Sequence, residues 1–284
     1  MKLTNWMSEI ADSAKITKIA IPGAHNAGSW AMNKMARCQG DGIFRQFQCG
    51  VRQFCIRLNT NRRGEIVLSH GISGGGLFEN SLGDLQKALE YDGEVLILDI
   101  REYYEQKFGP VTLRYKASPK MIDELLEKYI CPEKYAFYDF DDISKVTLGD
   151  IRNSGKKYII VNDNEDYRFS KNCKQTMPWD KEIYGLWGKD FSKRVMEVFD
   201  SAEPTGLFWF QTQQTPNLGT AIGVTNPYKL DLETRKYFPD IISAIEKSPE
   251  RLEKVNIIAG DFMTDTPLKA EKIIALNSKK GLTE

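Results

Sequence analysis

The chain of 284 residues contains only two histidines, and both lie in settings suited to acid–base chemistry. His25 stands in Ile19-Ala20-Ile21-Pro22-Gly23-Ala24-His25-Asn26-Ala27-Gly28, and His70 in Ile66-Val67-Leu68-Ser69-His70-Gly71. Each follows a short apolar run and precedes a glycine-bearing loop, so each is expected where a buried strand ends. Imidazole titrates nearest neutrality, and two imidazoles facing one phosphodiester can serve as general base and general acid. Arg57 and Arg101 supply guanidinium groups for the non-bridging phosphoryl oxygens. Asp261 supplies a carboxylate to orient the base and fix its tautomer.

Elements of alternating type must position these groups. Strands are expected at Ile16–Ile21, Val51–Leu58, Glu65–Ser69, Val95–Arg101, Lys157–Asn162, Gly206–Thr212 and Val255–Asp261. Several are near-continuous apolar runs, as in parallel strands buried on both faces. Helices are expected at Ser81–Tyr91, with Ser81 as N-cap and Asp84 completing a capping box, and at Ser118–Tyr129 and Asp190–Phe199. The last helix, Pro267–Leu276, would have Thr266 as N-cap. The alternation predicts an α/β chain forming a single irregular TIM (β/α) barrel over residues 1–284, although periodicity alone leaves an open doubly wound sheet as an alternative. His25, Arg57, His70, Arg101 and Asp261 fall at or just past strand ends, the catalytic face of such a barrel.

Here the sequence resembles a known family. Ile21-Pro22-Gly23-Ala24-His25-Asn26-Ala27-Gly28 is similar to the Ile-Pro-Gly-(Thr/Ser)-His-Asp-Ser block of the bacterial phosphatidylinositol-specific phospholipase C family, the X-domain type. Gly50-Val51-Arg52-Gln53-Phe54-Cys55-Ile56-Arg57 resembles its Gly-(Val/Ile)-Arg-x-x-Asp-Ile-Arg strand. Val67–Gly71, Leu98–Tyr103, Thr147–Arg152 and Ile257–Phe262 resemble later family segments, and Asn5-Trp6-Met7 the start of the domain. The resemblance implies an irregular TIM barrel that cleaves phosphatidylinositol to diacylglycerol and a cyclic inositol phosphate. It implies His25 as general base bonded to Asp261, His70 as general acid, and Arg57 on the phosphoryl oxygens.

Two residues depart from the pattern. Asn26 replaces an Asp that supports the acid histidine and the arginine; losing that charge should lower the pKa of His70 by about 1–2 units. Cys55 replaces the Asp of Asp-Ile-Arg. A His-Asn pair also occurs in the calcium-dependent eukaryotic branch, but that branch needs acidic ligands on the next strands. Cys55, Arg57 and Arg101 occupy those places here, so no metal and no cofactor are expected. On the headgroup side, the family's arginine aligns with Asn162, and Trp187 is a candidate for stacking on a sugar-like ring.

Composition bounds the alternatives. Lys+Arg and Asp+Glu are equal at 39 each, which argues against a nucleic-acid partner. No run approaches the roughly 20 apolar residues of a membrane span. No signal peptide is visible, leaving a cytoplasmic protein or a trimmed secreted form. The five cysteines lack CxxC spacing and read as free thiols. The expected partners are a phospholipid substrate and a transient membrane surface, met by a monomer. The Gly71–Phe78 loop, Trp30 and Met32 are candidates to touch lipid, Phe208-Trp209-Phe210 reads as a buried strand, and Asp163–Asp166 as a solvated acidic turn. Two rival functions remain. One is a catalytically impaired barrel that binds phospho-headgroups or a protein. The other is a metal-dependent glycerophosphodiester phosphodiesterase, disfavoured because its His-Arg-Gly opening and carboxylate ligands are missing.

Overall fold

The computed structural model describes residues 2–71, 73–102, 104–164, 166–177, 186, 188–215, 226–265 and 268–283. The strands are β1 (Ile21–Ala24), β2 (Gln53–Thr60), β3 (Ile66–His70), β4 (Ser73–Leu77), β5 (Leu96–Glu102), β6 (Gln106–Phe108), β7 (Val111–Lys116), β8 (Tyr158–Val161), β9 (Ser170–Lys171), β10 (Lys174–Thr176), β11 (Leu207–Gln211) and β12 (Ile257–Gly260). Eight form a parallel path in the order β10-β11-β12-β1-β2-β5-β8-β9. β9 pairs with β8 while β10, two residues later, pairs with β11, so the stretch 170–176 links the two ends of the curled sheet. This is the irregular α/β barrel that the sequence predicts. Among the described residues, no helix is long and apolar enough to cross a membrane.

The apolar run 16–20 is not a strand. Residues Ile16–Lys18 make a 3-10 turn, and pairing begins only at Ile21. Two buried amides satisfy the intervening backbone. Asn256 Nδ2 donates to the carbonyls of Ile16 (2.9 Å) and Ile19 (2.7 Å), and Asn277 Oδ1 accepts the Ala20 N–H at 2.7 Å. Side chains thus replace a ladder, which hydropathy cannot reveal. β1 itself contains Pro22, whose carbonyl accepts from Arg52 N, and Gly23, where a Cβ would lie 2.4 Å from Gln53 Oε1. The barrel interior at that layer has room only for glycine.

β3 also differs from expectation. It is antiparallel to β2, with Leu58 opposite Leu68 and Thr60 opposite Ile66. β2 is eight residues long, outlasts its barrel neighbours and turns back through residues 61–65, which returns His70 towards the level of Arg57. Residues Ser73–Leu77, read from the sequence as a loop, pair antiparallel with β3.

The helices used below are α1 (Ile43–Gln48), α2 (Phe78–Ala88), α3 (Pro119–Ile130), α4 (Pro132–Tyr135), α5 (Leu148–Asn153), α6 (Gly188–Ser201), α7 (Pro227–Glu246), α8 (Pro249–Lys254) and α9 (Leu268–Lys279). α2 starts three residues before the expected N-cap. Ser81 lies inside it, and the Asp84 carboxylate instead accepts the N–H of Phe44 in α1, at 3.2 Å. Thr266 and Pro267, expected to start the last helix, lie outside the described residues. α7, of 20 residues, leaves no clear signal in the sequence; its internal Pro239 and mixed surface obscure its periodicity. The core runs through the barrel and the inner helix faces and includes Phe208, Trp209 and Phe210, as read from the sequence. All five cysteines are free.

Candidate active site

His25 follows β1, and its N–H donates to Gly260 O on β12 at 3.1 Å. Asp261 follows β12. Parallel pairing of Ala24 with Gly260 therefore brings the two side chains level. The Gln39 amide fastens the two strand ends. Its Nε2 donates to His25 O (2.8 Å) and Gly260 O (3.0 Å), while its Oε1 accepts from Met263 N at 3.1 Å. Both catalytic candidates precede a left-handed residue, Asn26 (φ 45°) and Phe262 (φ 48°). Asparagine tolerates that conformation. A phenylalanine there is strained, at a cost of order 1–3 kcal/mol, and it is held by its edge-on contact with Tyr228 and by Phe262 N–H donating to Cys38 O at 2.7 Å.

The His25 Nδ1 to Asp261 Oδ1 distance is 2.8 Å, and the side chains are 13% and 5% exposed. With Nδ1–H donated to the carboxylate, Nε2 carries the lone pair. Burial, and then Arg57 and Arg101, push the imidazole well below its usual pKa, so it stands neutral. Burial and the nearby Asp231 push the Asp261 carboxyl up, opposed by Lys269. Lys269 donates to Asp261 O at 2.7 Å and pairs with Asp231 on α7.

The rings of His25 and His70 lie 6.2 Å apart between centroids and nearly perpendicular, at 87°. His70 Nδ1 donates to Ala36 O at 2.7 Å, which fixes its tautomer and leaves Nε2 as the exchangeable site. Cys38 Sγ lies 3.7 Å from the same nitrogen. Burial and then His25 lower the His70 pKa to about 4. Gly28 closes this corner: a Cβ there would lie 2.3 Å from Leu68 on β3, the strand that carries His70.

Arg57 and Arg101 are exact register partners on β2 and β5, within the strands rather than past their ends. Arg57 Nη2 is 3.4 Å from His25 Nε2. Arg101 binds Asp99 at 2.5 Å, and Lys174 on β10 binds the other oxygen of Asp99 at 2.8 Å and Asp163 at 2.9 Å. Alternation along β2 puts Cys55 in the layer beneath Arg57, in register with Asp99. The buried Asp99 therefore supplies a carboxylate in the layer where the resemblance placed one at residue 55.

Motif spacing does not single out Asp99, Lys174, Gln39, Cys38 or the Ala36 carbonyl. Asp99 was visible as a lone charge inside the apolar run Val95–Ile100; the others depend on long-range packing. Asp163, read as solvated, is an ion-pair partner. Asn162 is buried, and its amide is committed to the backbone: Nδ2 donates to Ile100 O at 2.8 Å, and Oδ1 accepts from the N–H groups of Asn164 and Asp166. That points to turn formation rather than headgroup contact. Trp187 lies outside the described residues. Asn26 is buried, with Nδ2 3.7 Å from Cys38 Sγ, and its Oδ1 has no hydrogen-bond partner among the described residues. Of the expected lipid contacts, Phe78 and Met32 are buried.

His25, Cys38 and Asp261 place possible metal-ligand atoms within 4.8 Å of one another. The Arg57 guanidinium against His25 and the charge of Arg101 oppose a cation at this point.

Solved structures share this architecture. No family model matches the chain. A stretch of 111 residues is 29% identical to the 1-phosphatidylinositol phosphodiesterase of Staphylococcus aureus strain Newman, covering 36% of this chain and 35% of that protein. The enzyme of that name from strain NCTC 8325 / PS 47 matches at 29% over 111 residues, covering 33% of its length. The match thus spans about a third of these curated relatives. Among solved structures, phosphatidylinositol-specific phospholipase C from Listeria monocytogenes superposes with a TM-score of 0.69 at 15% identity, covering 98% of this chain and 99% of that one. The fold is that of the bacterial phosphatidylinositol-specific phospholipases C. A mutant of the Staphylococcus aureus enzyme gives a TM-score of 0.66 at 16% identity, covering 96% and 98% of the two chains.

Proposed function

We propose that this barrel is a metal-independent phosphodiesterase that cleaves phosphatidylinositol by internal attack of the inositol 2-hydroxyl. The observation that carries the reading is the pair of perpendicular imidazoles 6.2 Å apart, one anchored by Asp261 and the other by a backbone carbonyl, beside Arg57. His25 Nε2 takes the hydroxyl proton as the ring oxygen bonds to phosphorus. Arg57 neutralises charge on the non-bridging oxygens, and in doing so gives up its contact with Nε2. Arg101 adds positive charge from the neighbouring strand. His70 protonates the departing glycerol oxygen as the second P–O bond breaks. The products are diacylglycerol and a cyclic inositol phosphate, and the proton gained by His25 balances the one lost by His70. The arginines take the charge-stabilising role that a metal would otherwise fill. We read the chain as one catalytic barrel that works as a monomer.

Phosphorus NMR of the purified protein with phosphatidylinositol in mixed micelles, with and without a chelator, tests the reading. A cyclic phosphate signal that survives chelation supports it. Activity abolished by the chelator would favour a metal-dependent phosphodiesterase. A folded protein that binds micelles without turnover would favour a headgroup-binding barrel.

The low pKa of His70 has a kinetic consequence. Its acid form is scarce at neutral pH, so kcat/KM should fall as pH rises from roughly 5 to 8, because fewer molecules carry the proton the leaving group needs. Asn26→Asp places a carboxylate beside this group and should move the falling limb to higher pH while raising kcat/KM at neutrality. An unchanged profile in the folded variant would mean that the amide does not limit the reaction.

A further inference from the structure

An apolar surface that catalysis does not use stands on the mouth side of the barrel. β6 and β7 form a hairpin turning at Gly109-Pro110, and Tyr104, Phe108, Val111 and Tyr115 are 64%, 73%, 44% and 43% exposed. The base of the hairpin is fixed to the catalytic strand: β7 pairs antiparallel with the end of β2, Asn59 opposite Lys116 and Thr60 opposite Tyr115. Arg57 lies two residues earlier on that strand. Because β7 runs back towards the barrel, its start at Val111 projects outward past Thr60 by about 13 Å, four residues at ~3.3 Å each. The apolar tip therefore extends beyond the rim on the side where β2 delivers Arg57.

The surroundings of the tip are basic. Arg62, in the β2–β3 turn, donates to Thr112 O at 3.4 Å and brings Arg63 alongside. Arg114 packs over Gly74, where a Cβ would lie 2.1 Å from its Nη2, so the hairpin leans on β4. Lys116 adds to the collar. Of the nearby carboxylates, Glu105 and Lys107 pair at 2.8 Å and cancel, while Glu65, held by the Asn61 amide at 2.8 Å, offsets one of the remaining cations. Aromatic and aliphatic tips enter the acyl boundary, basic side chains favour anionic headgroups, and long cationic side chains reach between the two.

We propose that this hairpin seats the protein on an anionic lipid bilayer, with Phe108 and Val111 entering the acyl boundary and the basic collar at the phosphate layer. Its use rests on the phosphodiesterase reading, since a lipid-borne substrate is what makes an anchor beside the mouth useful.

Sedimentation with vesicles of phosphatidylcholine and phosphatidylglycerol, free of phosphatidylinositol, tests the surface apart from the chemistry. Phe108→Ser should weaken partitioning about tenfold or more, as expected for losing one buried aromatic. Arg63→Gln should weaken it about fivefold, and added salt should weaken the native protein further. Phe108→Ser should leave turnover of a water-soluble inositol phosphodiester unchanged while turnover on vesicles falls. Equal vesicle binding by native protein and Phe108→Ser, or no vesicle binding by the native protein, would overturn the proposal. Self-association in sedimentation velocity that Phe108→Ser abolishes, with no vesicle binding, would assign the surface to a second copy of the chain instead. Hairpin-dependent vesicle binding without turnover of any inositol diester would keep the membrane inference and defeat the catalytic reading.

Discussion

His25→Ala is expected to lower turnover of phosphatidylinositol by about 10²–10⁴-fold, the usual contribution of a positioned base, with the fold retained. The backbone bonds that hold this position, from His25 N–H to Gly260 O and from Gln39 Nε2 to His25 O, do not involve the imidazole. His70→Ala should cost a similar factor, but the two losses differ in kind. A general acid matters in proportion to how poorly the leaving group departs unprotonated. A substrate bearing a nitrophenol in place of diacylglycerol should therefore rescue His70→Ala and not His25→Ala. The double variant should be little worse than the worse single one, because the two groups act in one proton-transfer sequence. Loss of His70 should also flatten the fall in kcat/KM with rising pH, since its pKa of about 4 sets that limb. Native-like rates in either folded variant, or equal rescue of both, would sink the assignment.

The sequence shows what local chemistry dictates. The strand at Val95–Arg101, the apolar face of the helix through Leu82 and Leu85, and the motif positions of His25, His70, Arg57 and Asp261 are all legible there. Elements whose backbone partners are distant side chains are not. Residues 16–20 look like a strand but are satisfied by Asn256 and Asn277, more than 230 residues away. The sequence pattern places His70 at the end of a parallel strand; it reaches the mouth on an antiparallel return, because β2 is longer than the barrel needs. The segment 170–176, which bridges the sheet's ends, contributes only two and three paired residues to its neighbours, too few to leave a hydrophobic pattern. Cys55 and Asp99 carry a broader point. A carboxylate absent from one strand can be supplied by the adjacent strand in the same layer, and a motif read along a single strand does not reveal it.

The arginine earlier in the Gly-Val-Arg-x-x-Cys-Ile-Arg motif should prove as important for stability as Arg57 is expected to be for chemistry. Arg52 is 0% exposed. Its Nε donates to Glu94 Oε2 at 2.6 Å, Nη1 to the carbonyls of Phe47 and Val51, and Nη2 to those of Leu3 and Thr4. The guanidinium lies 3.9 Å from the Phe47 ring centroid. Burial lowers its pKa to about 10, against the raising effect of Glu94, so it stays charged at neutral pH. Arg52→Met keeps the apolar stem but leaves Glu94 buried, with only Ser8 N–H, at 3.2 Å, among its described hydrogen bonds. Breaking such a pair from one side costs about 3–5 kcal/mol, read as a lower denaturant midpoint. Arg52→Met combined with Glu94→Leu should recover part of that loss, because the stranded charge is then removed as well. The 3-10 turn Leu3–Glu9 is tied to β2 partly through Leu3 O and Thr4 O, so limited proteolysis of Arg52→Met should open the chain first within that turn. A denaturant midpoint unchanged from the native protein would show that the pair is not the tie between the N-terminal turn and the barrel.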